Sequence, residues 1–207
     1  MNKLLLSFFF LLNSSIAFSQ TERLFSYTIT PDKTGATCTF IDKGKAFSLH
    51  INGKVVKNAK MANPHTDANQ HFINADDITI QLSIVPLPGS IPSSYNLNKL
   101  TFEQQKDILS GYIYYEMDYF KNELKVQYSD YKQMWVDNGI KPYLLWAFNQ
   151  KPVNNAGNAV NGQIYGAMVC YNQVLVINIP LFKKAGDMDK AEKLINDIAS
   201  TLRLYNK

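Results

Sequence analysis

This sequence is short of the residues that usually announce chemistry, with two cysteines and three histidines among 207 residues. Neither Cys38 nor Cys170 belongs to a C-x-x-C, which argues against a thiol redox motif or a zinc knuckle. There is no G-x-S-x-G elbow, no phosphate-cradling G-x-x-x-x-G-K-[ST], no G-x-G-x-x-G and no H-E-x-x-H helix. Charged residues make up only 18% of the chain, and the net charge of +4 is spread along it rather than gathered into runs. A nucleic-acid partner would need a concentrated basic face, so that class is set aside. After residue 12 no apolar stretch approaches the ~18 residues that a membrane-spanning helix requires. Internal repeats, low-complexity blocks and linkers are missing as well, and the expectation is one globular domain over residues 20–207.

What is present begins at the N-terminus. Lys3 provides a positive n-region, Leu4 to Leu12 an apolar h-region, and Ala17-Phe18-Ser19 the small residues of a signal-peptidase site. As a helix, the apolar run would span about 14 Å, too short to anchor in a hydrocarbon core of ~30 Å. Residues 1–19 therefore read as a cleaved signal peptide, with Gln20 the new N-terminus. No cysteine stands near that site to take lipid, so the expected product is a soluble periplasmic or secreted protein and not a lipoprotein. Export also makes a Cys38–Cys170 disulfide chemically permissible. Equally, both cysteines lie in apolar alternating runs, where a free thiol behaves as a small hydrophobe.

The periodicities predict an α+β domain. Leu24–Thr30 and Ala36–Ile41 flank the turn residues Pro31-Asp32-Lys33-Thr34-Gly35, and Ala46–Ile51 and Lys54–Val56 flank Asn52-Gly53. Residues 58–75 read as polar and irregular. Ile78, Ile80, Leu82 and Ile84 then alternate in a half-buried strand that ends at Pro86. Thr101 and Gln104 form a capping box ahead of a helix whose stripe is Leu109, Ile113, Met117, Phe120 and Leu124, widened by Ile108, Tyr112, Tyr115 and Tyr119. Four strands follow: Tyr128–Asp137 and Lys141–Asn149 around Asp137-Asn138-Gly139, then Ile164–Tyr171 and Val174–Ile179. A last helix, capped by Asp187 or Asp189, carries Ala191, Leu194, Ile195, Ile198 and Leu202. Short loops and hairpins imply an antiparallel β-sheet flanked by helices.

The segment Gly166–Pro180 (GAMVCYNQVLVINIP), the final helix ending in Leu202-Arg203-Leu204-Tyr205, and Phe47–Ile51 (FSLHI) as an early strand together resemble the PsbP-like family over Ala46–Tyr205. That family is named for an extrinsic subunit of the photosynthetic oxygen-evolving complex. The resemblance implies an α/β/α sandwich and a non-enzymatic accessory or binding role. It carries no diagnostic motif and transfers no functional residue. Residues 58–75 and 154–162 have no counterpart in it.

Three functions follow as expectations. The first is a non-catalytic envelope module, for example an immunity-type protein for a toxin, that binds a protein partner through Tyr114, Tyr128 and Tyr131. The second is a small-ligand carrier with a cavity between sheet and helix. The third is a metal-dependent hydrolase built on His65, Asp67 and His71, although H-x-x-x-x-x-H is not an established zinc spacing. The plainer reading makes His65 and His71 loop residues and points His50 away from Phe47, Leu49 and Ile51. No catalytic residue and no cofactor is assigned.

Overall fold

The computed structural model describes residues 25–59, 69–87, 91–92, 94–97, 99–137, 139, 141–151, 160–182 and 188–206. The signal peptide, His65, Asp67, Asp187 and most of the 154–162 loop lie outside the described residues.

Among the described residues, eleven strands form two antiparallel sheets where the sequence suggested one. The smaller has the order β1 (Ser26–Pro31), β2 (Gly35–Asp42), β3 (Lys45–Asn52), β11 (Arg203–Asn206). The larger runs β4 (Val56–Asn58), β5 (Gln70–Ala75), β6 (Ile78–Pro86), β10 (Gln173–Phe182), β9 (Val160–Cys170), β8 (Pro142–Gln150), β7 (Tyr128–Asp137). Helix α1 (Phe102–Asn122) covers one face of the larger sheet, over β8 and β9. Helix α2 (Met188–Ala199) and the smaller sheet cover the other. β8 is therefore covered on both sides: Tyr143, Leu145 and Ala147 join the core shared with the smaller sheet, while Leu144, Trp146 and Phe148 pack under α1. Double coverage explains why this strand reads as an unbroken apolar run rather than an alternation.

Thr101 caps α1 as its sequence predicts: its hydroxyl accepts the Gln104 amide, and the Gln104 side chain accepts the Thr101 amide. Two packing contacts position α2. A Cβ at Gly166 of β9 would lie 2.6 Å from Ile195 Cγ2, so the missing side chain lets the helix approach the sheet. Tyr143 donates to Asn196 from below. Tyr171, at the β9–β10 turn, donates to the carbonyls of Ala46 and Tyr205 at 3.0 and 2.9 Å, tying the larger sheet to two strands of the smaller.

Several local expectations are corrected. Asn52-Gly53 does not close a hairpin. Gly53 has no left-handed φ and donates its amide to Thr34 O at 3.0 Å, and the Val55 amide is taken by Asp76 Oδ1 at 2.9 Å. The chain thus crosses to the other sheet, where β4 pairs with β5. The tight turn of this region is Lys43-Gly44 between β2 and β3, with φ of 35° and 87°, the positive pair that suits a right-twisted hairpin. Part of the irregular 58–75 stretch is strand β5: its partners β4 and β6 supply the pairing that its polar composition hides. Leu202-Arg203-Leu204-Tyr205 does not end a helix. α2 stops at Ala199, Thr201 Oγ1 bonds Ile198 O and accepts the His50 amide, and Arg203–Asn206 pairs with β3. Of the two states left open for Cys38 and Cys170, the structure holds both as buried free thiols. Across β7 and β8, Trp135 pairs with Leu144 and Trp146 with Gln133.

Candidate binding site

The three tyrosines singled out from sequence fall on two neighbouring elements. Tyr114 stands on the solvent side of α1 and is 78% exposed. Tyr131 lies on β7, the outermost strand of the larger sheet, partly exposed and donating to Gln133 Oε1 at 2.6 Å. Tyr128, on the same strand, is half-buried, its ring 5.5 Å from Phe148 and 6.5 Å from Tyr131. Sequence periodicity put Tyr115 on the packed edge of α1 and left Phe102 and Met134 unremarked. All three are exposed: Phe102 and Tyr115 stand on α1 with Tyr114, while Met134, paired with Leu145, lies on the face of β7 away from α1. Lys106 joins the two elements: its Nζ lies 5.4 Å from the Phe102 ring and 6.0 Å from the Trp135 ring.

The histidines do not converge on one another among the described residues. His50, on β3, is half-buried and braces the β1–β2 turn: Nε2 is 3.2 Å from Thr34 Oγ1 and Nδ1 is 3.5 Å from Asp32 Oδ2. Asp32 in turn accepts from Thr34 and Gly35, which holds its carboxyl below the ordinary aspartate range. His71, on β5, stacks on Tyr27 at 3.9 Å and faces Phe40 at 5.6 Å. No group of three His, Cys, Asp or Glu side chains able to hold a metal occurs among the described residues. Burial pushes the Cys38 thiol up to about 11 and the Cys170 thiol up to about 12, unlike the low-pKa thiols that act as nucleophiles.

A third region was not foreseen. The cross-strand row Gln81, Asn178, Tyr165, Trp146 runs over β6, β10, β9 and β8, and directly opposed residues share a face. That face is the one α1 covers. Tyr165 donates to Gln163 Oε1 at 2.7 Å, Asn178 donates to the same oxygen at 3.1 Å, and Gln163 donates to Gln150 at 3.2 Å. Trp146 stacks on Tyr165 at 4.8 Å and meets Tyr112 edge-on at 6.3 Å. Its Nε1, like Gln81 Oε1, has no hydrogen-bond partner among the described residues. Above this row sits Glu116, 3% exposed, on the packed side of α1. Its carboxyl bonds the Tyr112 hydroxyl, and burial pushes its pKa up to about 7.

No family model and no curated protein matches the chain. Among solved structures, it is similar to cyanobacterial PsbP (CyanoP) from Synechocystis sp. PCC 6803, at 14% identity and a TM-score of 0.41, over 87% of this chain and 93% of that one. A protein from Bacteroides thetaiotaomicron matches at 10% identity and a TM-score of 0.35, over 78% of this chain and 45% of that one. Likenesses of this size describe general shape, and no property of either protein passes to this chain through them.

Glu116 escaped the sequence reading because a glutamate between Tyr115 and Met117 looks like an ordinary solvated helix residue. Its helical phase was the available signal, since it lies three and four residues from Ile113, Tyr112 and Phe120, all of which are buried.

Proposed function

We propose that the mature chain is an exported, non-catalytic binding module that docks a protein partner on the face formed by α1 and β7. The observation that carries this reading is the exposure of Phe102, Tyr114 and Tyr115 on α1 and of Tyr131 on the edge strand β7, with Lys106 lying over both the Phe102 and the Trp135 rings. Exposed apolar residues scattered singly need no explanation, whereas several on neighbouring elements suit an interaction surface. Tyrosines are also over-represented among residues that dominate interface energies. The immunity-type role is one form of this reading, since neutralising a toxin requires a docking surface and no active site.

Site-specific photocrosslinking in the native host tests it. A crosslinking residue in place of Tyr114 or Tyr131 should yield a discrete protein adduct. The same residue in place of Tyr205, which is exposed on the smaller sheet, should not. Equal labelling from all three positions, or none from Tyr114 and Tyr131, refutes the docking face. A second reading, the small-ligand carrier, is favoured by buried polar atoms on the sheet face under α1 that have no hydrogen-bond partner among the described residues, namely Trp146 Nε1 and Gln81 Oε1. Buried polar groups without partners are disfavoured unless something else satisfies them. Native mass spectrometry of protein purified from its host would reveal a bound small molecule.

A further inference from the structure

The face that α1 turns to the sheet is apolar and aromatic except at Gln105 and Glu116. Ile108, Leu109, Tyr112, Ile113, Tyr119 and Phe120 pack there against Leu144, Trp146, Phe148, Tyr165, Ala167 and Val169. A carboxylate in such a contact loses its hydration, and here nothing of opposite charge replaces it. No lysine, arginine or histidine among the described residues forms an ion pair with Glu116. The titratable groups that face it are Tyr112 and Tyr119 from α1 and Tyr165 from β9, and burial raises all three above the ordinary tyrosine range. They are uncharged near neutral pH. On β8 the neighbouring Trp146 Nε1 has no hydrogen-bond partner among the described residues. Lys106, farther along the helix, is engaged at 3.2 Å with Glu103.

We propose that Glu116 is a proton-dependent latch on α1: protonated, it lets the helix seat on β8 and β9, and ionised, it loosens that seating. The direction follows from linkage. Burial pushes the carboxyl up to about 7 from an ordinary value of 4.5, so the closed helix binds the proton more tightly than the open one. The seating is fully stable below pH 4.5 and weakens as pH rises from 4.5 to 7. It then levels off, with the opening equilibrium about 300-fold more favourable overall. Because α1 also carries Tyr114 and Tyr115, the latch would regulate the docking face; that consequence alone rests on the function proposed above.

Hydrogen exchange of the mature protein at pH 5 and pH 8, corrected for intrinsic rates, reads the helix directly. Protection of the α1 amides should fall about 70-fold between the two, α2 amides should hold, and Glu116→Gln should abolish the dependence. A fall of equal size in Glu116→Gln, a parallel fall in α2, or constant protection in the native sequence overturns the latch. Should Glu116→Gln fail to fold, Glu116→Met serves as the second variant. Carbon-13 titration of the native carboxyl decides independently, an apparent pKa below about 5.5 being fatal to the proposal. None of these measurements uses a binding partner, so failure of the docking face and failure of the latch are separable.

Discussion

Replacing Gly166 with alanine should destabilise the protein by placing a methyl group in the contact that seats α2 on the larger sheet. The new Cβ would lie 2.6 Å from Ile195 Cγ2, against an optimum of about 3.5–4.0 Å for carbon pairs, so one side must yield by about 1 Å. Overpacking of this kind costs about 1–3 kcal/mol. Gly166 has no left-handed φ, so alanine fits the backbone and recovers about 0.5–1 kcal/mol by restricting the unfolded chain. The expected net loss for Gly166→Ala is thus about 1–2 kcal/mol. Ile195→Ala, at a fully buried position, should cost about 2–5 kcal/mol through lost burial and the cavity left behind. The double variant decides the matter. With Ile195 Cγ2 gone the alanine methyl no longer clashes and fills part of the cavity, so the double variant should be no less stable than Ile195→Ala alone. The coupling should favour the pair by about 1–3 kcal/mol. Urea denaturation followed by far-ultraviolet circular dichroism measures it, each kcal/mol shifting the midpoint by about 0.5 M at an m-value near 2 kcal/mol/M. Losses that add to within about 0.5 kcal/mol would show that Gly166 and Ile195 do not touch, which would remove α2 from this face of β9.

Thr101→Ala should cost about 1 kcal/mol in the same denaturation assay, because it removes the acceptor for the Gln104 amide at the start of α1, while Thr101→Ser should be nearly neutral. The native protein at pH 8 should react negligibly with a thiol reagent and expose both cysteines only after unfolding in urea, since burial holds the two thiols well above that pH; rapid native labelling would contradict the packing of β2 and β9. Intact-mass analysis of protein exported by its host should give a chain that starts at Gln20, and retention of residues 1–19 would contradict the signal-peptide reading. Tyr114→Ala should leave stability within about 0.5 kcal/mol of the parent, because the side chain is solvated; a larger loss would mean that Tyr114 packs rather than presents itself.

Local rules carried far where the decisive interaction was local. The α1 cap needed only Thr101 and Gln104, and the β7–β8 turn needed only Asp137, whose carboxyl takes the Gly139 amide at 2.9 Å while Gly139 adopts a φ of 76°. They failed where a distant partner intervened. Asn52-Gly53 has the composition of a hairpin, yet Thr34 and Asp76, each more than fifteen residues away, bind the amides around it and send the chain to the other sheet. Residues 203–206 continue an amphipathic pattern, but the open edge of β3 turns them into a strand.

The candidate surface divides in the same way. The sequence by itself determined the presence of exposed tyrosines, the absence of catalytic motifs and the α+β class, because composition and periodicity act residue by residue. Only the tertiary structure decided that α1 lies over β8 and β9, in the sheet that β7 borders, and that Glu116 turns toward Tyr165 instead of water. Both facts depend on which sheet face a helix covers. That choice is set by packing between segments separated by dozens of residues, and no local spacing records it.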